Sequence, residues 1–296
     1  MFRIISDSSC DIAPEIAKEL DIEIIPYYAS FDGENYIKEG VDVSVEDFYN
    51  QMVEKAGIFP KTSMPAIVDF MDAFERYAQN GDEVLCICLN SKFSGSYQGA
   101  LTAKEEVLNE YPDMKIEVVD SEQATLLQGM FVREACALRD KGFSLEETVE
   151  RLNKIRSTGR IFFTTNDLEY LRHGGRIGSA AVALSNMLNL KPLIIYIDKQ
   201  LISGGIARGH LKALGTMIEQ FKAHVKENDI DLSEYRVALA RGYDTEDFNA
   251  FKQKVEEEFA DVADKIEQWE VYHVGVTIGV HTGPYPTGIA LLKRAI

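Results

Sequence analysis

The sequence predicts an α/β protein made of two α/β domains, and three features predict it. Short β-rich runs alternate with amphipathic stretches along the whole chain, the pattern of strands layered with helices. The run VLCICL (84–89) is apolar throughout, as strands covered by helices on both faces of a parallel sheet are. Ser144 stands three residues before Glu147, a capping box that opens a helix, and the segment after that helix, STGRIFFTT (157–165), changes register. The boundary is therefore placed after residue 156. Residues 1–156 are expected to form an N-terminal α/β domain with a parallel sheet covered by helices, and residues 157–296 a C-terminal α/β domain with a mixed sheet and helices.

Strands are expected at 2–6, 22–30, 84–89, 116–120, 160–165, 192–197, 236–240 and 271–280, short apolar runs, most of them rich in β-branched or aromatic residues. Helices are expected at 13–20, 44–56, 66–79, 97–110, 122–141, 144–156, 179–189, 208–227 and 246–263, where the pattern is amphipathic. The helix after Met64 starts no earlier than Pro65, because proline disfavours helical backbone in the residue before it. The stretch SAAVALSNMLNL (179–190) has few polar positions. A helix apolar nearly all round must be buried, and its small residues either pack closely or leave a channel beside them.

The chain has 296 residues, 46% hydrophobic and 27% charged, with a formal net charge of −17. That is the mix of a globular protein, and the acidity disfavours non-specific binding to nucleic acid or to an anionic membrane. No apolar run reaches membrane-spanning length. The start, MFRIISDSSC, lacks a basic leader with a long apolar stretch and cleavage site, so a cytoplasmic protein is expected. Cys10, Cys86, Cys88 and Cys136 include no CxxC pair, and the five histidines show no metal-ligand spacing. Free buried thiols are the expectation.

Ligands of open α/β sheets bind outside the carboxyl ends of the strands. The segments that follow strands include Asp7-Ser8-Ser9, the run Asn90 to Tyr97, and His281-Thr282-Gly283-Pro284. Ser94, between Phe93 and Gly95, either caps a helix or meets a ligand, and the two roles are compatible because a helix N-terminus favours an anionic group. Thr62 and Ser63 pose the same choice ahead of Pro65. A nucleophile elbow, G-x-S-x-G, requires glycine where Lys92 stands. A serine hydrolase acting on acyl esters, with Ser94 as nucleophile, His281 as base and Asp7 as its orienter, is the alternative from another class. In LEYLRHGGRIG (168–178), Arg172 and Arg176 flank a glycine pair. They form a solvated loop or meet a phosphate or acidic partner.

Taken together, SDSSCDI (6–12), KTSMPA (61–66), LNSKFSGSYQGA (89–100), VVDSEQATLLQG (118–129), LEYLRHGGRIG (168–178), LNLKPLI (188–194) and VHTGPYPTG (280–288) resemble the DegV family of bacterial fatty-acid-binding proteins. The resemblance implies a long-chain fatty acid between two α/β domains, its carboxylate held by hydroxyls of the TS and SG segments. Those are Thr62 and Ser94, with Ser63 beside them and His281 as a neighbour of the head group. Ala183, Met187 and Leu188 become candidates for the acyl wall. The resemblance further implies a carrier with no cofactor and no catalytic residues of its own, presenting the lipid to a separate ATP-dependent fatty acid kinase, for which Arg172, Arg176 and Arg208 are docking candidates. Three departures stand out, one of them the basic segment after the GGR loop, thinned to IARGHLKA (206–213) where several lysines or arginines are typical and Arg208 remains. Met64 and Ala66 replace the glutamine and serine usual in the TSQPS loop, and Tyr285 replaces the last glycine of HTGPG.

Overall fold

The structure is a computed structural model that describes residues 2–166, 168–178 and 190–296. In chain order its first part runs β1 (Arg3–Asp7), α1 (Pro14–Glu19), β2 (Ile22–Ile25), β3 (Tyr28–Ser30), β4 (Ile37–Lys38), α2 (Val45–Glu54), β5 (Lys61–Ser63), α3 (Ile67–Asn80), β6 (Val84–Cys88) and α4 (Ser96–Glu110). It continues through β7 (Ile116–Asp120), α5 (Leu126–Asp140), α6 (Leu145–Ile155), β8 (Arg160–Thr164), α7 (Glu169–His173), β9 (Leu190–Ile197) and β10 (Gln200–Arg208). It ends with α8 (His210–Glu227), β11 (Tyr235–Arg241), α9 (Glu246–Glu258), β12 (Trp269–His273), α10 (Val276–Thr282) and β13 (Thr287–Lys293).

The strands form three sheets. One is four-stranded in the order β2-β1-β6-β7, and all its pairings are parallel. A six-stranded sheet has the order β10-β9-β8-β13-β11-β12. It is antiparallel except for the β11–β12 pair. A small antiparallel sheet joins β4, β3 and β5. The architecture is thus α/β, with a parallel sheet, a mixed sheet and helices around both. All four cysteines are free and buried.

The two large sheets share one core. Helix α5 is buried along most of its length, as a helix apolar on several sides must be. It packs Leu127, Phe131 and Ala135 into a cluster that holds Ile4 and Leu85 of the parallel sheet together with Ile161, Ala238 and Ala290 of the mixed sheet. The other face of the mixed sheet, with Phe162, Leu239, Ile289 and Leu291, packs on Met217 and Phe221 of α8 and Phe251 of α9. The capping box at Ser144 is present: its hydroxyl accepts from the Glu147 amide at 3.2 Å, and Glu147 accepts from the Ser144 amide at 2.9 Å.

Four expectations are corrected. The run 22–30 is two strands, β2 and β3, broken at Pro26, which has no amide hydrogen for a ladder. The run 271–280 is not one strand: β12 stops at His273 and α10 starts at Val276. The β-forming residues of α10 are helical because packing overrides propensity. Val276 and Val280 pack on Phe48 and Tyr49, and the buried Glu39 carboxylate accepts the Val276 amide at 2.5 Å and the Thr277 amide at 3.3 Å. Residues 200–208 and 287–293, assigned no strand from sequence, are β10 and β13. β10 hides a strand behind Gly204-Gly205, where its register shifts, as glycine in a strand often marks. The expected helix at 179–189, with Ala183, Met187 and Leu188, lies outside the described residues.

Candidate functional site

A cavity of about 330 Å³ lies between the carboxyl ends of the parallel strands and the inner face of the mixed sheet. One wall is apolar and comes from alternate positions of the mixed sheet. Phe163 of β8, Gly288 of β13 and Ala240 of β11 line it, and they sit in one row, each directly opposite the next. Two small residues beside a large one make a trench in the sheet surface. Ile161, Tyr196 and Leu201 continue the wall on one side, and Val274 and Ile278 on the other.

The polar end of the cavity gathers Thr62, Ser63, Ser94 and His281. They come from three separate segments: β5, the turn between β6 and α4, and the last turn of α10. The structure therefore brings together all four head-group residues expected from the sequence. Thr62 Oγ1 is 3.0 Å from His281 Nε2. Ser94 Oγ accepts hydrogen bonds from Tyr27 Oη at 2.7 Å and from the Ser96 amide at 3.1 Å. Ser63 is exposed, and its hydroxyl points to the Met64 carbonyl at 3.4 Å. Neither Thr62 nor Ser63 caps α3; that end is held by Asp69, which accepts from the Ala66 amide at 2.9 Å. Ser94 does serve the α4 start as well as the cavity. Gly95 has ordinary backbone angles, and its lack of a side chain instead admits Met64, whose sulfur would lie 2.8 Å from a Cβ there.

His281 has its pKa lowered to about 4, first by burial and then by the Arg176 charge. It is neutral at pH 7. Gly174 is the reason it fits: a Cβ at that position would stand 2.1 Å from Nδ1. Arg176 follows in the same loop and also lines the cavity. Its Nε donates to the Phe93 carbonyl at 3.1 Å and its Nη1 to the Gly174 carbonyl at 2.6 Å, so it ties the GGR loop to the Ser94 turn. Arg172 pairs with Glu169 at 2.5 Å on the surface, and Arg208 is exposed at the end of β10. Gly174→Ala should lower stability by about 1–3 kcal/mol, the usual cost of overpacking. The double variant Gly174→Ala/His281→Ala should recover much of that loss in a thermal melt, because the clashing ring is gone.

Asp7 is not aimed at His281. Its Oδ1 accepts from Ser9 Oγ at 2.5 Å and Gln128 Nε2 at 2.9 Å, and its Oδ2 from the Leu89 amide at 2.9 Å and Ser96 Oγ at 2.7 Å. Burial raises its pKa, and these four bonds oppose the shift. Asp7 thus fastens β1 to the end of β6, the start of α4 and the first turn of α5. The Ser94–His281–Asp7 arrangement weighed for a hydrolase is not assembled: His281 Nε2 meets Thr62, Ser94 meets Tyr27 and Ser96, and Asp7 is bonded elsewhere.

Sequence reasoning missed Tyr27, Phe163, Ala240 and Gly288. Tyr27 carried a signal, as an aromatic next to a proline break. Ala240 and Gly288 become meaningful only once β11 and β13 are known to be neighbours. Met64 was noted as a departure and proves to line the cavity.

The chain is similar to known proteins over its whole length. A family model described as "Uncharacterised protein, DegV family" matches residues 1–294. A DegV domain-containing protein of Caldanaerobacter subterraneus subsp. tengcongensis is 32% identical over 286 residues, covering 97% of this chain and 96% of the relative. Among solved structures, a stearic-acid-binding protein from Eubacterium ventriosum superimposes with a TM-score of 0.93 at 36% identity, covering 100% of this chain and 99% of the other. A DegV family protein from Thermus thermophilus, described by its fatty acid binding, superimposes with a TM-score of 0.85 at 27% identity over 99% of each chain. Matched along nearly all of its length by both sequence and fold, the chain belongs to the DegV family.

Proposed function

We propose that this protein binds a long-chain fatty acid, its acyl chain along the Phe163–Gly288–Ala240 trench and its carboxylate at Thr62 and Ser94. The carrying observation is the cavity itself: an apolar trench that ends at neutral hydroxyls. Each methylene removed from water contributes about 0.8 kcal/mol, so the chain supplies the affinity. The head group needs only to be oriented and left with no unpaired acceptor. The Eubacterium ventriosum protein binds stearic acid and the Thermus thermophilus protein binds fatty acid, which supports the same reading.

The tautomer of His281 decides what Thr62 does. Nδ1 is buried beside Gly174 with no hydrogen-bond partner among the described residues. A buried unpaired N–H is worse tolerated than an unpaired acceptor, so the proton belongs on Nε2, donating to Thr62 Oγ1. The Thr62 hydroxyl hydrogen is then free for a carboxylate. Ser63, exposed and turned to Met64, is an outer member of this end of the site.

Every strand of the parallel sheet precedes residue 157 and every strand of the mixed sheet follows it. That supports domains of 1–156 and 157–296 with the ligand between them. We further infer a carrier rather than an enzyme, handing its lipid to a separate ATP-dependent fatty acid kinase. The site has its carboxylate hydroxyls beside exposed Met64 (40%) and close in sequence to exposed Ile67 (39%) and Val68 (56%), an apolar rim a partner protein can cover. Arg172 and Arg208 are the docking charges that touch neither cavity nor its braces, so Arg172→Ala and Arg208→Ala should slow acyl-phosphate formation, most at low salt, with lipid content unchanged. Arg176→Ala should lower melting temperature and lipid content together, because its guanidinium spans two loops. Equal kinase rates for parent and the Arg172 and Arg208 variants would remove those residues from the docking surface.

Native mass spectrometry of the purified protein tests the main reading. One long-chain fatty acid per chain, released with an intact carboxyl group, is expected. Protein that never takes up added fatty acid, or a covalent acyl adduct on Ser94, would overturn it.

A further inference from the structure

Ser94 has more partners than a head-group hydroxyl needs, and their arrangement fixes its polarity. A serine hydroxyl carries two lone pairs and one hydrogen. Tyr27 Oη occupies one lone pair at 2.7 Å and the Ser96 amide the other at 3.1 Å. Both donors are anchored. The Tyr27 amide donates to Ser8 Oγ at 3.0 Å, and its carbonyl accepts from the Glu39 amide at 3.0 Å. Its ring packs with Leu89 and Ala124. Ser96 is held by its own hydroxyl on Asp7 at 2.7 Å.

The Tyr27–Ser94 bond has one satisfactory direction. Tyr27 is only 3% exposed, and burial followed by the Asp7 charge raises its pKa well above the ordinary value, so the phenol keeps its hydrogen. Were Ser94 the donor, the phenol hydrogen would lose its 2.7 Å acceptor and be left with the neighbouring Ser96 hydroxyl, which is already held on Asp7, a poorer outcome for a buried donor. The Ser94 hydrogen is therefore left to point into the cavity.

We propose that Tyr27 is a positioning residue that makes Ser94 an obligate donor, so that the site selects head groups that only accept. This rests on the fatty-acid reading above. A carboxylate offers acceptors alone. A primary alcohol brings a hydrogen of its own to a place where Ser94 cannot receive it.

The test compares oleate with oleyl alcohol on delipidated protein, by displacement of a fluorescent fatty acid. The parent should prefer oleate. Tyr27→Phe keeps the ring but frees one lone pair of Ser94, letting the hydroxyl turn. It should narrow the oleate-to-alcohol preference roughly three- to ten-fold, the range for one neutral hydrogen bond. In a Ser94→Ala background, Tyr27→Phe should leave the preference unmoved. A tyrosine that only packs would weaken both ligands equally, and an unchanged ratio overturns the proposal. Should Tyr27→Phe not fold, the carboxyl ¹³C resonance of bound labelled oleate decides: it must shift between parent and Ser94→Ala, and an unmoved resonance overturns the proposal. A parent that binds neither lipid refutes the fatty-acid reading itself, whereas binding with an unmoved ratio refutes only the role of Tyr27.

Discussion

Ala240→Phe should abolish binding of long acyl chains and leave the protein folded. Ala240 lies opposite Gly288, which lies opposite Phe163, and all three line the cavity. A phenyl ring at 240 fills the trench where the two small residues leave room. If six methylenes are kept out, about 5 kcal/mol of apolar burial is lost, more than a thousand-fold in dissociation constant. Decanoate, which needs less of the trench, should lose far less than oleate. The overpacking cost of about 1–3 kcal/mol should appear as a melting temperature lower by several degrees, with the unfolding transition still cooperative. Titration of both acids into delipidated variant checks this. Unchanged oleate affinity in a folded variant would mean that the chain takes another path.

The double variant Thr62→Ala/Ser94→Ala should weaken fatty-acid binding by about two to four orders of magnitude. A hydrogen bond to a charged group contributes about 1.5–3 kcal/mol, and two are removed. The single variants should not add simply. Thr62→Ala also takes away the partner of His281 Nε2, and Ser94→Ala strands the Tyr27 hydroxyl and the Ser96 amide. Each single loss therefore includes a desolvation cost that is not a measure of the ligand bond. Ser94→Thr, which keeps the hydroxyl, should retain more affinity than Ser94→Ala. A double variant that holds fatty acid as the parent does would place the carboxylate elsewhere.

Much of this site was legible as segments and little of it as geometry. Thr62, Ser94 and His281 stood out because each lies in a short run of hydroxyls, glycine and proline beside an element end. Their meeting was legible only through the family resemblance and not from the residues themselves, since it depends on how β5, the β6–α4 turn and α10 pack. His281 was expected to follow a long apolar strand. It sits instead on a helix whose start is held by Glu39, 237 positions before Val276 in the chain. Local propensity cannot register such a partner. The parallel sheet was readable because its inner strand β6 is apolar on both faces, whereas β10 was obscured by the glycines of its register shift and β13 by Gly288, which leaves room for the cavity. Arg176, expected as a docking charge, instead ties its loop to the Ser94 turn through two carbonyl contacts.

The alternation along β13 has an evolutionary consequence. Gly288 faces the cavity and Ala290 and Leu292 the shared core, while Ile289 and Leu291 face α8 and α9. Neighbouring codons therefore answer to different selective pressures, one set to ligand size and the other to scaffold integrity. A lineage can drift toward shorter or longer lipids by substitution at alternate positions without disturbing the helices behind. A single-residue insertion or deletion is another matter, because it exchanges the two faces beyond the point of change. Length polymorphism within 287–293 should be purged, while substitutions at 288 and 240 should be a route by which paralogues diverge in lipid preference.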